Sequence, residues 1–130
     1  DFVGGDRTLK RLNLLKIKSA MQPDPPTIMQ DETPAKAQEM LSQLRTDQLI
    51  VVDKENRLIG HVDPEALAKK SETVGEVAQS TDAFLSVNSS LKDGLSEIFT
   101  HDLGFIIAVD DEGKVHGTLN EQDIKTVLRK

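Results

Sequence analysis

Phe105-Ile106-Ile107-Ala108-Val109-Asp110-Asp111-Glu112-Gly113-Lys114-Val115-His116-Gly117 repeats a pattern already met 57 positions earlier as Leu49-Ile50-Val51-Val52-Asp53-Lys54-Glu55-Asn56-Arg57-Leu58-Ile59-Gly60. Each is an apolar, β-branched run closed by aspartate, a short polar turn, and a second run ending in glycine, which reads as a β-hairpin. The same offset carries Thr33 to Ser90 and Thr27-Ile28 to Phe84-Leu85. One register accounts for every match, so the chain holds two copies of one unit. Units of roughly 50–60 residues are marginal alone, which predicts that the two bury apolar surface against each other and that function lies between them.

Outward from the hairpins, Thr33 is placed to cap a helix with Pro34 at its first position, and Ala37, Met40, Leu41 and Leu44 recur at helical spacing as its core face. Ser90 caps the equivalent helix, which carries Leu91, Leu95, Ile98 and Phe99. Asp63-Pro64 starts a second helix through Leu67 and Ala68, and a closing helix runs from Glu121 to Leu128. Thr27-Ile28-Met29 and Phe84 to Val87 supply the opening strands. The expected fold is α+β: two pseudo-symmetric β-α-β-β-α units packed sheet to sheet with helices outside. The divisions are residues 1–18 as a linker helix, 19–70 as the first unit and 71–130 as the second, with Gln22-Pro23-Asp24-Pro25-Pro26 as an extended break.

Composition narrows the function. With 37% hydrophobic and 29% charged residues the chain reads as an ordinary globule, and no apolar run approaches the ~20 residues of a membrane span. There is no cysteine, hence no thiolate metal site, disulfide or cysteine nucleophile, and a reducing cytosol is expected. The net charge is −6, yet the opening segment sets Arg7, Lys10, Arg11, Lys16 and Lys18 against only Asp1 and Asp6. The rest is therefore more acidic than the whole, which disfavours nucleic acid as a partner. The basic opening, with Leu9, Leu12 and Leu15 along one helical face, is suited either to packing on the domain or to an anionic membrane surface. His61, His101 and His116 lack metal-ligand spacing, so no metal is expected. No phosphate loop, nucleophile elbow or His-activated serine is present, so no catalytic residue is assigned.

The element order, its double occurrence and the Asp-turn-Gly hairpin resemble a tandem pair of cystathionine-β-synthase (CBS) domains, the Bateman module, over residues 18–130. The opening Phe2-Val3-Gly4-Gly5-Asp6-Arg7 and Leu9-Lys10-Arg11-Leu12 resemble the junction after the ATPase domain of quaternary-amine (glycine betaine, carnitine, choline) uptake transporters. Asp1 in place of methionine fits a piece of something larger. Together these imply the C-terminal regulatory part of a transporter ATP-binding subunit. It would lie on the cytoplasmic face of the membrane, form homodimers, and partner the ATPase domain and membrane subunits.

The resemblance also implies an adenine-nucleotide site at the start of each unit's last helix, built from glycine, a hydroxyl residue and an aspartate. The second copy reads Gly117-Thr118-Leu119-Asn120-Glu121-Gln122-Asp123: glycine and aspartate match, and Asn120 replaces Ser or Thr. Glycine admits a ligand to the backbone, the helix start favours phosphate, and Asp123 accepts from ribose hydroxyls. The same residues also suit a helix cap, and both roles can coexist. Phe84, Leu85 and Phe105 would supply apolar walls for adenine, with His116, Lys114 and His101 offering positive charge. In the first copy Asp63 and Ala66 stand at the hydroxyl and aspartate positions, so that site is expected to be empty. The surviving Asp123 favours linear AMP or ATP, whereas the transporter resemblance favours cyclic di-AMP bound between two modules. A ligand-free module that answers ionic strength through dimer or membrane contact is the alternative.

Overall fold

The computed structural model describes residues 2–130, with side chains from Arg7 onward; Asp1, the start of the expected linker, lies outside the described residues. The chain is mixed α+β with two sheets. Helix α1 (Phe2–Leu14) leads through a one-turn 3-10 helix (Ile17–Ser19) to strand β1 (Gln22–Pro23). The first copy follows as β2 (Thr27–Met29), α2 (Pro34–Leu44), β3 (Leu49–Val52), β4 (Leu58–Val62) and α3 (Pro64–Leu67). A second one-turn 3-10 helix (Val74–Glu76) precedes the second copy: β5 (Phe84–Ser86), α4 (Leu91–Thr100), β6 (Phe105–Val109), β7 (Val115–Asn120) and α5 (Glu121–Leu128).

Local chemistry sets the boundaries. The Thr33 hydroxyl accepts from Lys36 N at 3.2 Å with Pro34 in the first helical position, and the Ser90 hydroxyl accepts from Asp93 N at 3.1 Å. Helix α2 stops at Arg45, which turns left-handed at φ 54°, so Leu44 in its last position points away from the core at 45% exposure. Phe99 on α4 is more exposed still. The two hairpin turns are built alike: Asn56 (φ 66°) and Gly113 (φ 80°) occupy the same place in the repeat, each a residue type that tolerates positive φ.

In the first sheet, ordered β2-β3-β4, Thr27–Met29 pair in parallel with Ile50–Val52, and β3 pairs antiparallel with β4. In the second, ordered β1-β7-β6-β5, Phe84–Ser86 pair in parallel with Ile107–Val109, and β1 pairs antiparallel with β7. Each sheet has its own buried cluster. Ile28, Leu41, Leu49, Val51, Val62 and Val74 belong to one; Ile17, Leu91, Ile98, Ile106, Leu119 and Ile124 belong to the other.

The compact units cross the boundaries expected from sequence. One consists of the segment ending at Asp24 with Ala83–Asp111 and His116–Lys130; the other consists of Pro25–Asp82 with Glu112–Val115. Residues 19–24, expected in the first unit, thus fold with the second copy, and 71–82, expected in the second, fold with the first. The physical reason is edge pairing, since an open strand edge needs hydrogen-bond partners. Gln22 and Pro23 pair with Thr118 and Gly117, while Gln79 bridges His61 through both backbone bonds (2.9 and 2.8 Å). The repeat offset carries Ile17–Ser19 onto Val74–Glu76 and Gln22 onto Gln79. The repeating element therefore begins with a strap, upstream of the strands from which it was first recognised.

Candidate functional site

The eight residues singled out for nucleotide contact all fall in the unit that holds the second sheet. Along β7 the side chains alternate: Val115, Gly117 and Leu119 are buried, and His116, Thr118 and Asn120 turn the other way. On β5, Leu85 packs against the unit's buried cluster while Phe84, at 42% exposure, faces outward opposite Ile107. Phe84, half-buried Phe105, Thr118 and Asn120 thus share the sheet face away from the helices' cluster. Strand β6 lies between Phe84 on β5 and Thr118 on β7.

At the end of β7 the chain turns into α5 through a reciprocal cap. Asn120 Oδ1 accepts from Asp123 N at 2.8 Å, and Asp123 Oδ2 accepts from Asn120 N at 2.9 Å. Asp123 is only 8% exposed, and its second oxygen, Oδ1, accepts from Gln22 Nε2 at 2.9 Å. A buried carboxylate requires such donors. Both of its oxygens are engaged within the protein.

Gly117 has a packing role. A Cβ there would stand 2.5 Å from the Gln22 carbonyl oxygen and 2.8 Å from Met21 Sδ, so the crossing strap occupies the approach expected for a ligand. The two histidines expected to offer charge each have a carboxylate partner: His116 Nε2 lies 2.8 Å from Asp110 Oδ2, and His101 Nε2 lies 2.8 Å from Glu97 Oε2. Lys114, in the other unit, lies 3.9 Å from Glu112.

The first copy shows the same scaffold with other chemistry. Gly60 lies against the Gln79 backbone as Gly117 lies against Gln22. Asp63 Oδ1 accepts from Ala66 N at 2.8 Å and caps the four-residue α3, with Pro64 in its first turn. Ala66, 1% exposed, occupies the place of Asp123. His61 stands where Thr118 does; its ring Nδ1 is 2.9 Å from Gln48 Oε1, and burial holds its pKa below the ordinary value, against the opposing pull of Asp63.

Sequence reasoning missed Gln22. The signal was present, since Gln22 and Gln79 obey the repeat offset, but the Pro-rich stretch around Gln22 read as a linker. It also missed an open recess of about 300 Å³ lined by Met29, Gln30, Asp31, Asp53, Lys54 and Arg57. There Asp53 is held below the usual carboxylate range, chiefly by the backbone N–H of Arg57. Among the described residues no group of three or more His, Cys, Asp or Glu could hold a metal ion, and no helix is long and apolar enough to cross a membrane.

The family model of the CBS domain matches residues 17–72 and again 74–130. The glycine betaine/carnitine/choline transport ATP-binding protein OpuCA of Bacillus subtilis is 26% identical over 98% of this chain, which spans only 35% of that relative. Among solved structures, Staphylococcus aureus OpuCA superimposes with a TM-score of 0.73 at 22% identity, covering 85% of this chain and 97% of that one. Arabidopsis thaliana CBSX2, solved in complex with AMP, gives 0.76 at 18% identity over 88% of this chain and 96% of that one.

Proposed function

Because the chain belongs to the CBS domain family, with two copies in tandem, we propose that it is the regulatory module of an osmoprotectant transporter's ATP-binding subunit, working at the cytoplasmic membrane face. Its ligand is an adenine nucleotide, and cyclic di-AMP is the form the site suits best. The reading rests on the second copy's sheet face away from the helices' cluster, where Phe84 and Phe105 flank the buried Ile107 and Thr118 leads along β7 toward the α5 start. Apolar rings give purines a surface to stack on. Cyclic di-AMP has its 3′ oxygens esterified and asks less of a ribose-reading carboxylate, and both Asp123 oxygens are already engaged.

Binding acts on the ATPase by favouring one arrangement of a homodimer, which requires unequal affinity for two arrangements. The same likeness to a CBS protein solved with AMP supports AMP or ATP as the alternative ligand. Titration calorimetry of the chain with cyclic di-AMP, AMP and ATP, alongside light scattering for the dimer, tests this. Saturable cyclic di-AMP binding is expected, and silence with all three nucleotides overturns the sensor.

A second reading, membrane contact through α1, is favoured by the exposure of Leu9 (59%) and Leu14 (78%) beside exposed Arg7 and Lys10. It predicts co-sedimentation with anionic vesicles that is lost at high salt.

A further inference from the structure

We infer that Gln22 is a specificity-determining residue of the second-copy site: its carboxamide holds the carboxylate that a ribose diol would otherwise use, so the site selects against nucleotides that depend on it. The inference rests on the nucleotide-binding reading above and goes beyond it to name what discriminates among nucleotides.

Asp123 is the one buried charged residue among those described, and the exposed Gln22 is the side chain that donates to it. Its Oδ2 accepts from Asn120 N in the cap that starts helix α5. Oδ1 is the oxygen left for a ligand, and Gln22 Nε2 donates to it at 2.9 Å. Gln22 is itself exposed and sits on β1, a two-residue strand, so its side chain can leave without exposing core. A vicinal diol presents two donors to a carboxylate, and the carboxamide takes an acceptor position on Oδ1 for which one of them competes.

The other copy argues that this bond is not demanded by the fold. Gln79 occupies the place of Gln22, its backbone pairs with β4 in the same way, and the position facing it is Ala66. The strap, the glycine beneath it and the capped helix are all assembled there without a carboxylate. What the second copy adds is a closed latch on its one ribose-reading group.

Hydrogen bonds to a charged group are the stronger class, so removing the donor is expected to tighten AMP about tenfold. Cyclic di-AMP, which offers one free hydroxyl per ribose, should change less than twofold. The experiment is calorimetry of the chain and of its Gln22→Met and Gln22→Ala variants with AMP, 3′-deoxy-AMP and cyclic di-AMP, folding being checked by circular dichroism. Gln22→Met keeps the length and lacks the donor, so it stays informative if Gln22→Ala loosens the strap. Tightening confined to AMP, and abolished by adding Asp123→Asn, supports the latch. Unchanged or weaker AMP binding, or equal gains for AMP and 3′-deoxy-AMP, overturns it while leaving the nucleotide reading intact. Absence of binding by every nucleotide to every variant overturns both.

Discussion

The two copies share a scaffold and differ in what they hang on it. Strap, hairpin turn, glycine and helix cap recur at one offset, down to a positive φ at Asn56 and Gly113 and a backbone crossing at Gly60 and Gly117. The polar chemistry does not recur. The second copy has Asn120 and a buried Asp123 at the start of an eight-residue helix, whereas the first has Asp63 and Ala66 at the start of a four-residue one. Backbone geometry thus carries the fold, and a few side chains at one helix start carry the candidate site. The repeat separates the two because each copy is a control for the other.

The largest expected effect breaks the scaffold. Gly60→Ala drives a Cβ into the Gln79 carbonyl and Gly117→Ala drives one into that of Gln22; both obstacles are backbone and cannot rotate away. A cost of roughly 3 kcal/mol is expected for each, the upper range for forced overpacking. Hydrogen exchange should show each loss in the unit that contains the glycine. Equal loosening of both units by either substitution would deny that the units are separable.

Next comes the chemistry. Asp123→Ala removes the carboxylate arm of the reciprocal cap and the Gln22 bond together, leaving the backbone N–H that donates to Asn120, with an expected loss of about 2 kcal/mol in thermal or denaturant unfolding. The reverse exchange sharpens the contrast. Ala66→Asp alone places a carboxylate beside Asp63 and should destabilise by roughly 1 kcal/mol, while Asp63→Asn with Ala66→Asp rebuilds the second copy's cap and should recover most of it. Failure to recover would mean that the short α3 cannot support the motif.

How much of this was legible follows the same division. The hairpins, the Thr33 and Ser90 caps and the helix from Glu121 to Leu128 could be read because they depend on local periodicity and turn chemistry. The Asn120–Asp123 cap is equally local. The exchange of the two straps was not legible, since it depends on which sheet edge remains unpaired. The latch on Asp123 followed it out of sight: its two members are 101 positions apart. The packing role of Gly117 was hidden for the same reason, because glycine looks alike whether a ligand or a strand lies over it.

Arg11 tests helix α5 from its other end. Its guanidinium donates to the carbonyls of Leu128 (2.7 Å) and Val127 (2.9 Å), satisfying the last turn of α5 and complementing its dipole. Arg11→Ala should cost about 1 kcal/mol and raise amide exchange in α1, with β3 and β4 unaffected. An effect that spread to the first copy's strands would contradict a contact internal to one unit.

The smallest effect is pH-dependent, and its direction is fixed by linkage. His61 has a folded pKa below its ordinary 6.5 because burial disfavours the imidazolium. Below about pH 6.5 the unfolded state therefore takes up the proton first, and stability falls until pH passes the lower folded value. Asp53 and Glu76, in the same unit, are held below their ordinary 3.8 and 4.5, chiefly by backbone N–H groups of Arg57 and Thr73 respectively. Their contribution is present above those values and is lost as pH drops through the lower folded ones. The first copy should therefore weaken in two stages on acidification, the first of them abolished by His61→Gln. Exchange rates of β3 and β4 amides, corrected for intrinsic chemistry between pH 7.5 and 5.5 and set against those of β6 and β7, measure that first stage. If β6 and β7 open equally over that range, the sensitivity belongs to the whole molecule and the difference at His61 and Thr118 has no part in it.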